Sequence, residues 1–232
     1  MTDGVIFDLD GTLWDATEVT AETWVEVLKK HPEVKPKLPL DIHTIKKYMG
    51  LTNEELAGVF FPDLPYEKAF AMMNASCDLE NKWLPERGGR LYPHVRETLL
   101  KLCEMGLRLF IVSNCQDGYI EAFLTAHKMY DVIKDWESSG RSGKSKGENI
   151  KDIISRNSLH SAVYVGDTVS DSVGARYAGI PFIYAKYGFG EENGRGKTDD
   201  YDKSIRDISE LCDIIADNIA DIIADIIETE KK

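Results

Sequence analysis

The sequence predicts an α/β protein with a doubly wound parallel sheet and an inserted α-helical bundle. Short buried-strand patterns alternate with helical patterns near the start of the chain and again in its second half. Between these two parts, apolar residues recur only at helical spacing. We therefore expect an α/β core built from residues 1–15 and 88–232 and a helical insert over residues 16–87.

The first strand is predicted at Val5-Ile6-Phe7, a short β-type run that ends in the polar segment Asp8-Leu9-Asp10-Gly11-Thr12. Gly11 is typical of the turn that follows a buried strand. The insert comes next, and its helical patterns are separated by proline-containing breaks at 31–32, 36–39 and 61–65. The absence of any strand pattern there predicts a compact group of helices.

Strands and helices alternate again after the insert. Helices are predicted over 95–105, 118–127, 148–156 and 173–178, and strands over 107–112, 131–136, 162–165 and 181–185. A basic, glycine-rich loop is expected over 140–147. Such alternation is typical of right-handed βαβ units, whose parallel sheet is covered by helices on both faces.

The end of the chain contains Ile-Ala-Asp three times, four residues apart, starting at Ile215, Ile219 and Ile223. With neighbouring isoleucines this spacing makes an apolar stripe on an acidic helix. The helix could close the sheet, or it could form a dimerisation surface, so a monomer and a homodimer both remain open. The regular aspartates argue against membrane insertion.

Composition narrows the classes of partner. The 232 residues carry a net charge of −12, which disfavours nucleic acid because backbone binding needs a basic face. No apolar run is long enough to span a membrane, and no signal peptide is visible. The four cysteines show no CxxC spacing, so we expect reduced thiols in a cytoplasmic protein. A small anionic metabolite stays compatible with the charge, since a metal ion can reverse the field inside one cleft.

Polar residues end three of the predicted strands: Asp8 and Asp10, Ser113 and Asn114, and Asp167 and Asp171. Because the carboxyl ends of parallel strands share one edge of a sheet, these side chains should converge there. Four neighbouring carboxylates repel one another unless a cation lies between them, and oxygen-only ligands suit Mg²⁺. A carboxylate can then attack phosphorus, while lysine, hydroxyl and backbone N–H groups bind the phosphoryl oxygens.

Four segments resemble, in order, the four motifs of the haloacid dehalogenase superfamily. They are Asp8-Leu9-Asp10-Gly11-Thr12-Leu13, Ser113 after its strand, Lys146 at a helix start, and Gly166-Asp167-Thr168-Val169-Ser170-Asp171. The resemblance covers about residues 3 to 190. The helical insert resembles the cap of the phosphoglycolate phosphatase and β-phosphoglucomutase branch.

The resemblance implies a role for each motif residue. Asp8 would be the nucleophile, and Asp10 would protonate the leaving alkoxide and then deprotonate the attacking water. Mg²⁺ would be held by Asp8, the Asp10 carbonyl and Asp167, with Asp171 holding metal-bound waters or Lys146.

The phosphoryl group would be bound by the remaining motif residues: Ser113, the Asn114 N–H, Lys146 and the turn at Gly11 and Thr12. Lys144 is the alternative to Lys146, and Gly147 stands where the family usually has proline. His94 stands where the family often has glycine.

We expect a Mg²⁺-dependent phosphatase acting on a small phosphate monoester, such as a phosphoglycolate-like ester, a sugar phosphate or a nucleoside monophosphate. The presence of Asp10 disfavours a dehalogenase, and Thr12 resembles the phosphatase members more than the mutases. A phosphomutase and a non-catalytic binding module remain as alternatives.

Overall fold

The computed structural model describes residues 2–193 and 197–216. Its strands are β1 (Gly4–Phe7), β2 (Trp14–Asp15), β3 (Arg90–Leu91), β4 (Arg108–Ser113), β5 (Ile133–Ser138), β6 (Ala162–Gly166), β7 (Phe182–Ala185) and β8 (Lys203–Ile205). Its helices are α1 (Thr17–Lys29), α2 (Ile42–Lys46), α3 (Asn53–Phe60), α4 (Tyr66–Arg87), α5 (Val95–Glu104), α6 (Tyr119–His127), α7 (Ser139–Ser142), α8 (Lys146–Arg156), α9 (Val169–Ala178) and α10 (Phe189–Asn193).

Six strands form one parallel sheet in the order β5-β4-β1-β6-β7-β8. The strand order places the N-terminal strand β1 in the middle, between β4 and β6. Successive residues of β1 belong to different hydrophobic clusters: Val5 and Phe7 to one, Ile6 to another. Because neighbouring residues of a strand point to opposite faces, the sheet is buried on both sides. The predicted doubly wound α/β fold is thereby confirmed.

Helices α1 to α4 lie between β2 and β3 and are called the cap below. They have a hydrophobic cluster of their own, which includes Trp24, Phe60 and Met73. The two short strands β2 and β3 pair antiparallel where the chain leaves the core and where it returns. This two-stranded ribbon, which the sequence analysis did not predict, joins the cap to the core.

Two helices begin earlier in the sequence than predicted, because polar capping residues precede them. The expected loop over 140–147 contains the short helix α7, and α8 already begins at Lys146. Ser145 caps α8 in a reciprocal pair with Glu148, and Thr168 caps α9 with Asp171. Helix α9 consequently begins at Val169, four residues before the predicted start at 173.

The C-terminal segment is described only as far as residue 216, and residues 210–216 are helical. Ile208, Leu211 and Ile215 are buried in the core cluster of the sheet, so this part of the helix closes the core. The repeats that start at Ile219 and Ile223, and with them the dimerisation hypothesis, lie outside the described residues. In the described ranges, no helix has both the length and the apolar character that a membrane crossing needs.

Candidate active site

The motif residues meet at the carboxyl edge of the sheet. Asp8 directly follows β1, Ser113 ends β4, and Asp167 directly follows β6. Phe7 at the end of β1 lies between Ile111 and Val165 in the parallel register. The three strands therefore deliver their terminal side chains to one small volume.

Lys146 lies at the centre of this volume. Its Nζ is 2.8 Å from Asp8 Oδ1 and 2.5 Å from Asp171 Oδ1, and the whole residue is only 5% exposed. Burial would lower the pKa of Lys146, but the carboxylates of Asp171 and Asp8 outweigh it and raise the pKa. Lys144 instead pairs with Asp152 on the surface at 2.6 Å. The structure thus brings Lys146, and not Lys144, to the carboxylates.

Three buried carboxylates form a cluster suited to a hard cation. Oxygen atoms of Asp8, Asp167 and Asp171 all lie within 4.8 Å of one another. Burial, followed by repulsion from the other carboxylates, raises the pKa of Asp8 and of Asp167. A divalent cation would remove this repulsion, and the donor set consists only of oxygen, as Mg²⁺ prefers.

Asp167 and Asp171, the two aspartates of the fourth motif, have different surroundings. Asp171 is fixed by hydrogen bonds: its Oδ2 accepts from the Thr168 N–H at 2.8 Å and from the Asp167 N–H at 3.1 Å, while its Oδ1 accepts from Lys146. Asp167 is approached closely by the turn after β1. A Cβ at Gly11, where φ is +83°, would lie 2.2 Å from Asp167 Oδ2. Only glycine allows the turn to pass so near this carboxylate.

Asp10 has a partner that the sequence analysis missed. Tyr119 Oη donates a hydrogen bond to Asp10 Oδ1 at 2.9 Å. Burial and the nearby charge of Asp8 raise the pKa of Asp10 well above its ordinary value, although the Tyr119 hydrogen bond opposes this. Asp10 is therefore poised to hold a proton. Tyr119 belongs to the first turn of α6, and no spacing in the sequence marks it as a site residue.

Of the remaining motif residues, Ser113 lines the cavity, while the side chains of Asn114 and Thr12 make hydrogen bonds to other parts of the protein. Ser113 is buried and lines the cavity beside Asp8. Asn114 Nδ2 donates to the Gly50 carbonyl of the cap at 3.0 Å, so this side chain joins core and cap. Thr12 Oγ1 donates to Asp167 Oδ1 at 3.3 Å and supports that carboxylate.

A cavity lies above these residues, between the core and the cap. The core contributes Asp8, Asp10 and Ser113, and the cap contributes mainly apolar side chains. The cap also contributes Glu80 of α4, a buried carboxyl that the sequence analysis missed. A small ligand bound here would be enclosed between core and cap and shielded from bulk water.

Comparisons with known proteins agree with this arrangement. The family model of haloacid dehalogenase-like hydrolases matches residues 5–185. A phosphoglycolate phosphatase from Nitrosospira multiformis is 29% identical over 199 residues, covering 81% of this chain and 84% of that protein. One from Shigella boydii is 25% identical over 236 residues, covering 88% of this chain and 90% of that protein.

A solved structure shows the same fold. The crystal structure of a predicted phosphoglycolate phosphatase from Haemophilus somnus matches with a TM-score of 0.75 at 21% identity, covering 92% of this chain and 98% of that one. Together with the curated relatives, the family match confirms the enzyme class expected from the sequence, a phosphatase. Because the family match spans well over half of the chain, the protein belongs to the family of haloacid dehalogenase-like hydrolases.

Proposed function

We propose that this protein is a Mg²⁺-dependent phosphatase that hydrolyses small phosphate monoesters through an aspartyl-phosphate on Asp8. The observation that carries this proposal is the buried contact of Lys146 with Asp8, beside an Asp10 whose pKa is raised. A nucleophile, a cation for the phosphoryl group and a proton donor thus share one cavity. The names of the curated relatives support the same chemistry.

In the first half-reaction a carboxylate oxygen of Asp8 attacks phosphorus. The new P–O bond to Asp8 forms as the bond to the substrate's alcohol oxygen breaks, and Asp10 gives its proton to that oxygen. The Lys146 ammonium, the Ser113 hydroxyl and the Asn114 N–H would stabilise the oxygens of the transferring group.

In the second half-reaction a water molecule attacks the phosphorus of the aspartyl-phosphate. Asp10, now deprotonated, takes the proton of the water, and the bond between phosphorus and Asp8 breaks. Orthophosphate leaves, Asp8 is again a carboxylate, and Asp10 is again protonated. The Tyr119 hydroxyl orients Asp10 in both halves through its hydrogen bond.

The carboxylates of Asp8 and Asp167 and the backbone carbonyl of Asp10 would hold Mg²⁺. When bound, the ion would neutralise charge so that an anionic phosphate can approach the carboxylates. Asp171 would act mainly through Lys146, since its oxygens already accept hydrogen bonds from that side chain and from Thr168.

The proposal is tested by hydrolysis of p-nitrophenyl phosphate with Mg²⁺, with EDTA, and by Asp8→Asn. We expect Mg²⁺-dependent release of p-nitrophenol that is lost with EDTA and falls by at least about 10⁴-fold in the variant, because an amide is a poor nucleophile. An unchanged urea unfolding curve would show that the variant is folded. Near-normal activity of Asp8→Asn would contradict the proposal, and interconversion of sugar phosphate isomers without phosphate release would favour a phosphomutase.

A further inference from the structure

The cap end of the cavity carries an acidic side chain. Glu80 of α4 lines the cavity together with Asp8 and Asp10 and is only 4% exposed. Glu80 and the two aspartates therefore line one cavity, Glu80 from the cap and the aspartates from the core.

The partners of Glu80 are neutral hydrogen-bond donors. Its Oε1 accepts from Trp24 Nε1 at 3.1 Å and from Thr23 Oγ1 at 3.4 Å, and its Oε2 accepts from Gln116 Nε2 at 2.8 Å. Burial raises the pKa of Glu80 to about 7, although these three donors lower it. Glu80 therefore carries partial negative charge at neutral pH without any lysine or arginine among its partners in the described residues.

Glu80 also occupies two side-chain donors that could otherwise bind a substrate carboxylate. Trp24 Nε1 and Gln116 Nε2 lie in the cavity wall, and both are directed at Glu80. Among the described residues that line the cavity, Lys146 is the only lysine or arginine, and it contacts Asp8 and Asp171 at the phosphate end. The cap end thus offers a carboxylate no cation.

The same wall contains groups that could accept or donate a hydrogen bond. Thr20 Oγ1 lines the cavity, is buried, and has no hydrogen-bond partner in the described part of the chain. Cys77 also lines it as a thiol whose pKa is raised by burial and then by the charge of Glu80. A buried polar atom without a partner is costly, so a ligand that places a polar group against this wall would gain affinity. A hydroxyl can donate or accept there, so the sign of the ligand's charge is decided by Glu80.

We infer that the substrate carries a hydrogen-bond donor, a hydroxyl or an ammonium group, opposite Glu80, and that esters ending in a carboxylate are poor substrates. The inference rests on the proposed function and defines its leaving group. It separates this chain from its curated relatives, which are named for phosphoglycolate. Glu80 would act as a specificity-determining residue, because a carboxylate placed against its ionised form is disfavoured.

Three esters of equal length test this inference: 2-hydroxyethyl phosphate, 2-aminoethyl phosphate and 2-phosphoglycolate. At pH 8, where Glu80 with its pKa of about 7 is mostly ionised, we expect kcat/KM for the better of the first two to exceed that for 2-phosphoglycolate by at least about tenfold. Preference for the aminoethyl ester would identify an ammonium group, and preference for the hydroxyethyl ester a hydroxyl group. An equal or higher kcat/KM for 2-phosphoglycolate would overturn the inference.

Glu80→Gln tests the residue itself, because it removes the charge and keeps the size of the side chain. At pH 8 we expect the ratio between the preferred ester and 2-phosphoglycolate to fall about tenfold. Glu86→Gln is the matched control, since Glu86 is on the same helix but exposed, and it should leave the ratio unchanged. An unchanged ratio in a folded Glu80→Gln protein would refute the role of Glu80; if that variant does not fold, the wild-type ratio decides.

Hydrolysis of p-nitrophenyl phosphate separates this inference from the proposed function. That ester has neither a carboxylate nor a donor on its leaving group, so it reports on the chemistry at Asp8 alone. If it is cleaved while none of the three esters is, the inference is wrong and the phosphatase proposal stands. If it is not cleaved either, the proposed function fails and the inference fails with it.

Discussion

At the scale of single residues, the proposed mechanism depends on the protonation of Asp10. Its carboxyl is buried, lies near the charge of Asp8 and accepts a hydrogen bond from Tyr119. The first two features favour the neutral acid, and the third fixes its orientation. A group in this state can give a proton to an alkoxide that would otherwise leave slowly.

Asp10→Asn should therefore slow poor leaving groups most. We expect the first-turnover release of an alkyl alcohol to fall by about 10²–10⁴-fold, the usual contribution of general acid catalysis. Release of p-nitrophenol should fall much less in the same measurement, because that anion leaves without a proton. Rapid-quench kinetics of the first turnover isolate this step from the later attack of water, and equal losses for both esters would contradict the assignment.

The residues of the short motifs could be predicted from the sequence because they are contiguous or end a strand. Tyr119 and Glu80 could not, since their positions depend on how α6 and the cap are oriented over the sheet. His94 stands where the family often has glycine. The backbone of His94 has a φ of +60°, a left-handed conformation that glycine adopts without strain. The imidazole itself is exposed and contacts Asp207.

At the scale of elements, the turn between β1 and β2 has to pass close to Asp167. Gly11→Ala should reduce Mg²⁺-dependent activity strongly, because its Cβ would occupy the space of the Asp167 carboxylate. Gly106→Ala is a matched control: φ at Gly106 is +86°, but no atom lies within 4 Å of the added Cβ.

Both glycine variants should lose at least about 1–2 kcal/mol of unfolding free energy in urea, the usual penalty of a left-handed alanine. Gly11→Ala should lose more than this, because its Cβ displaces the buried Asp167 carboxylate. Only Gly11→Ala should lose activity at saturating Mg²⁺. Equal activity of the two proteins would show that the approach of the turn to Asp167 does not matter for catalysis.

Helix α8, which carries Lys146, is anchored to β5 by Arg156. The guanidinium contacts Asp135 at 2.7 Å and Glu137 at 2.6 Å. Burial would raise the pKa of both carboxyls, but hydrogen bonds from arginines outweigh it and lower the pKa. For Asp135 the main donor is Arg156. For Glu137 the donors are Arg141 and then Arg156.

Arg156→Met should lower the unfolding free energy by about 1–2 kcal/mol at pH 7, allowing for partial exposure of the pairs. The pKa values of Asp135 and Glu137 are lower in the folded protein than in the unfolded chain. The stabilisation is therefore present at a pH above the unfolded-state pKa values and is lost as the pH falls below about 4. Urea unfolding of both proteins at neutral and acidic pH measures the difference. A difference that stays constant with pH would contradict the ion-pair explanation, and Lys144→Met, which removes an exposed pair, should have little effect at any pH.

The start of α8 also shows where element prediction was limited. The segment 140–147 is rich in glycine and basic residues, which favours a loop, yet Ser145 and Glu148 form a capping box. The hydrogen bonds between Ser145 and Glu148 stabilise the first turn of the helix more than the glycine-rich composition destabilises it, so the helix begins at Lys146. Lys146 is therefore the first residue of the helix and not part of a loop, and its side chain reaches the carboxylates of Asp8 and Asp171.

At the scale of the whole molecule, the site is complete only where cap and core meet. Asn114 reaches the Gly50 carbonyl, Gln116 reaches Glu80, and Asn81 of the cap donates to the Asp117 carbonyl at 2.7 Å. The alternation of strands and helices was enough to predict the doubly wound sheet. The docking of the cap was not predictable, because it depends on contacts between residues far apart in the sequence.

The central claim is that Asp8 becomes phosphorylated during turnover, and trapping the intermediate tests it most directly. An acyl phosphate is reduced by borohydride to an alcohol, so turnover quenched in acid and treated with borohydride should convert Asp8 to homoserine. Mass spectrometry of the peptide containing residue 8 should find homoserine only when substrate and Mg²⁺ are both present, and not in Asp8→Asn. Steady phosphate release with homoserine at another aspartate, or at none, would contradict the account.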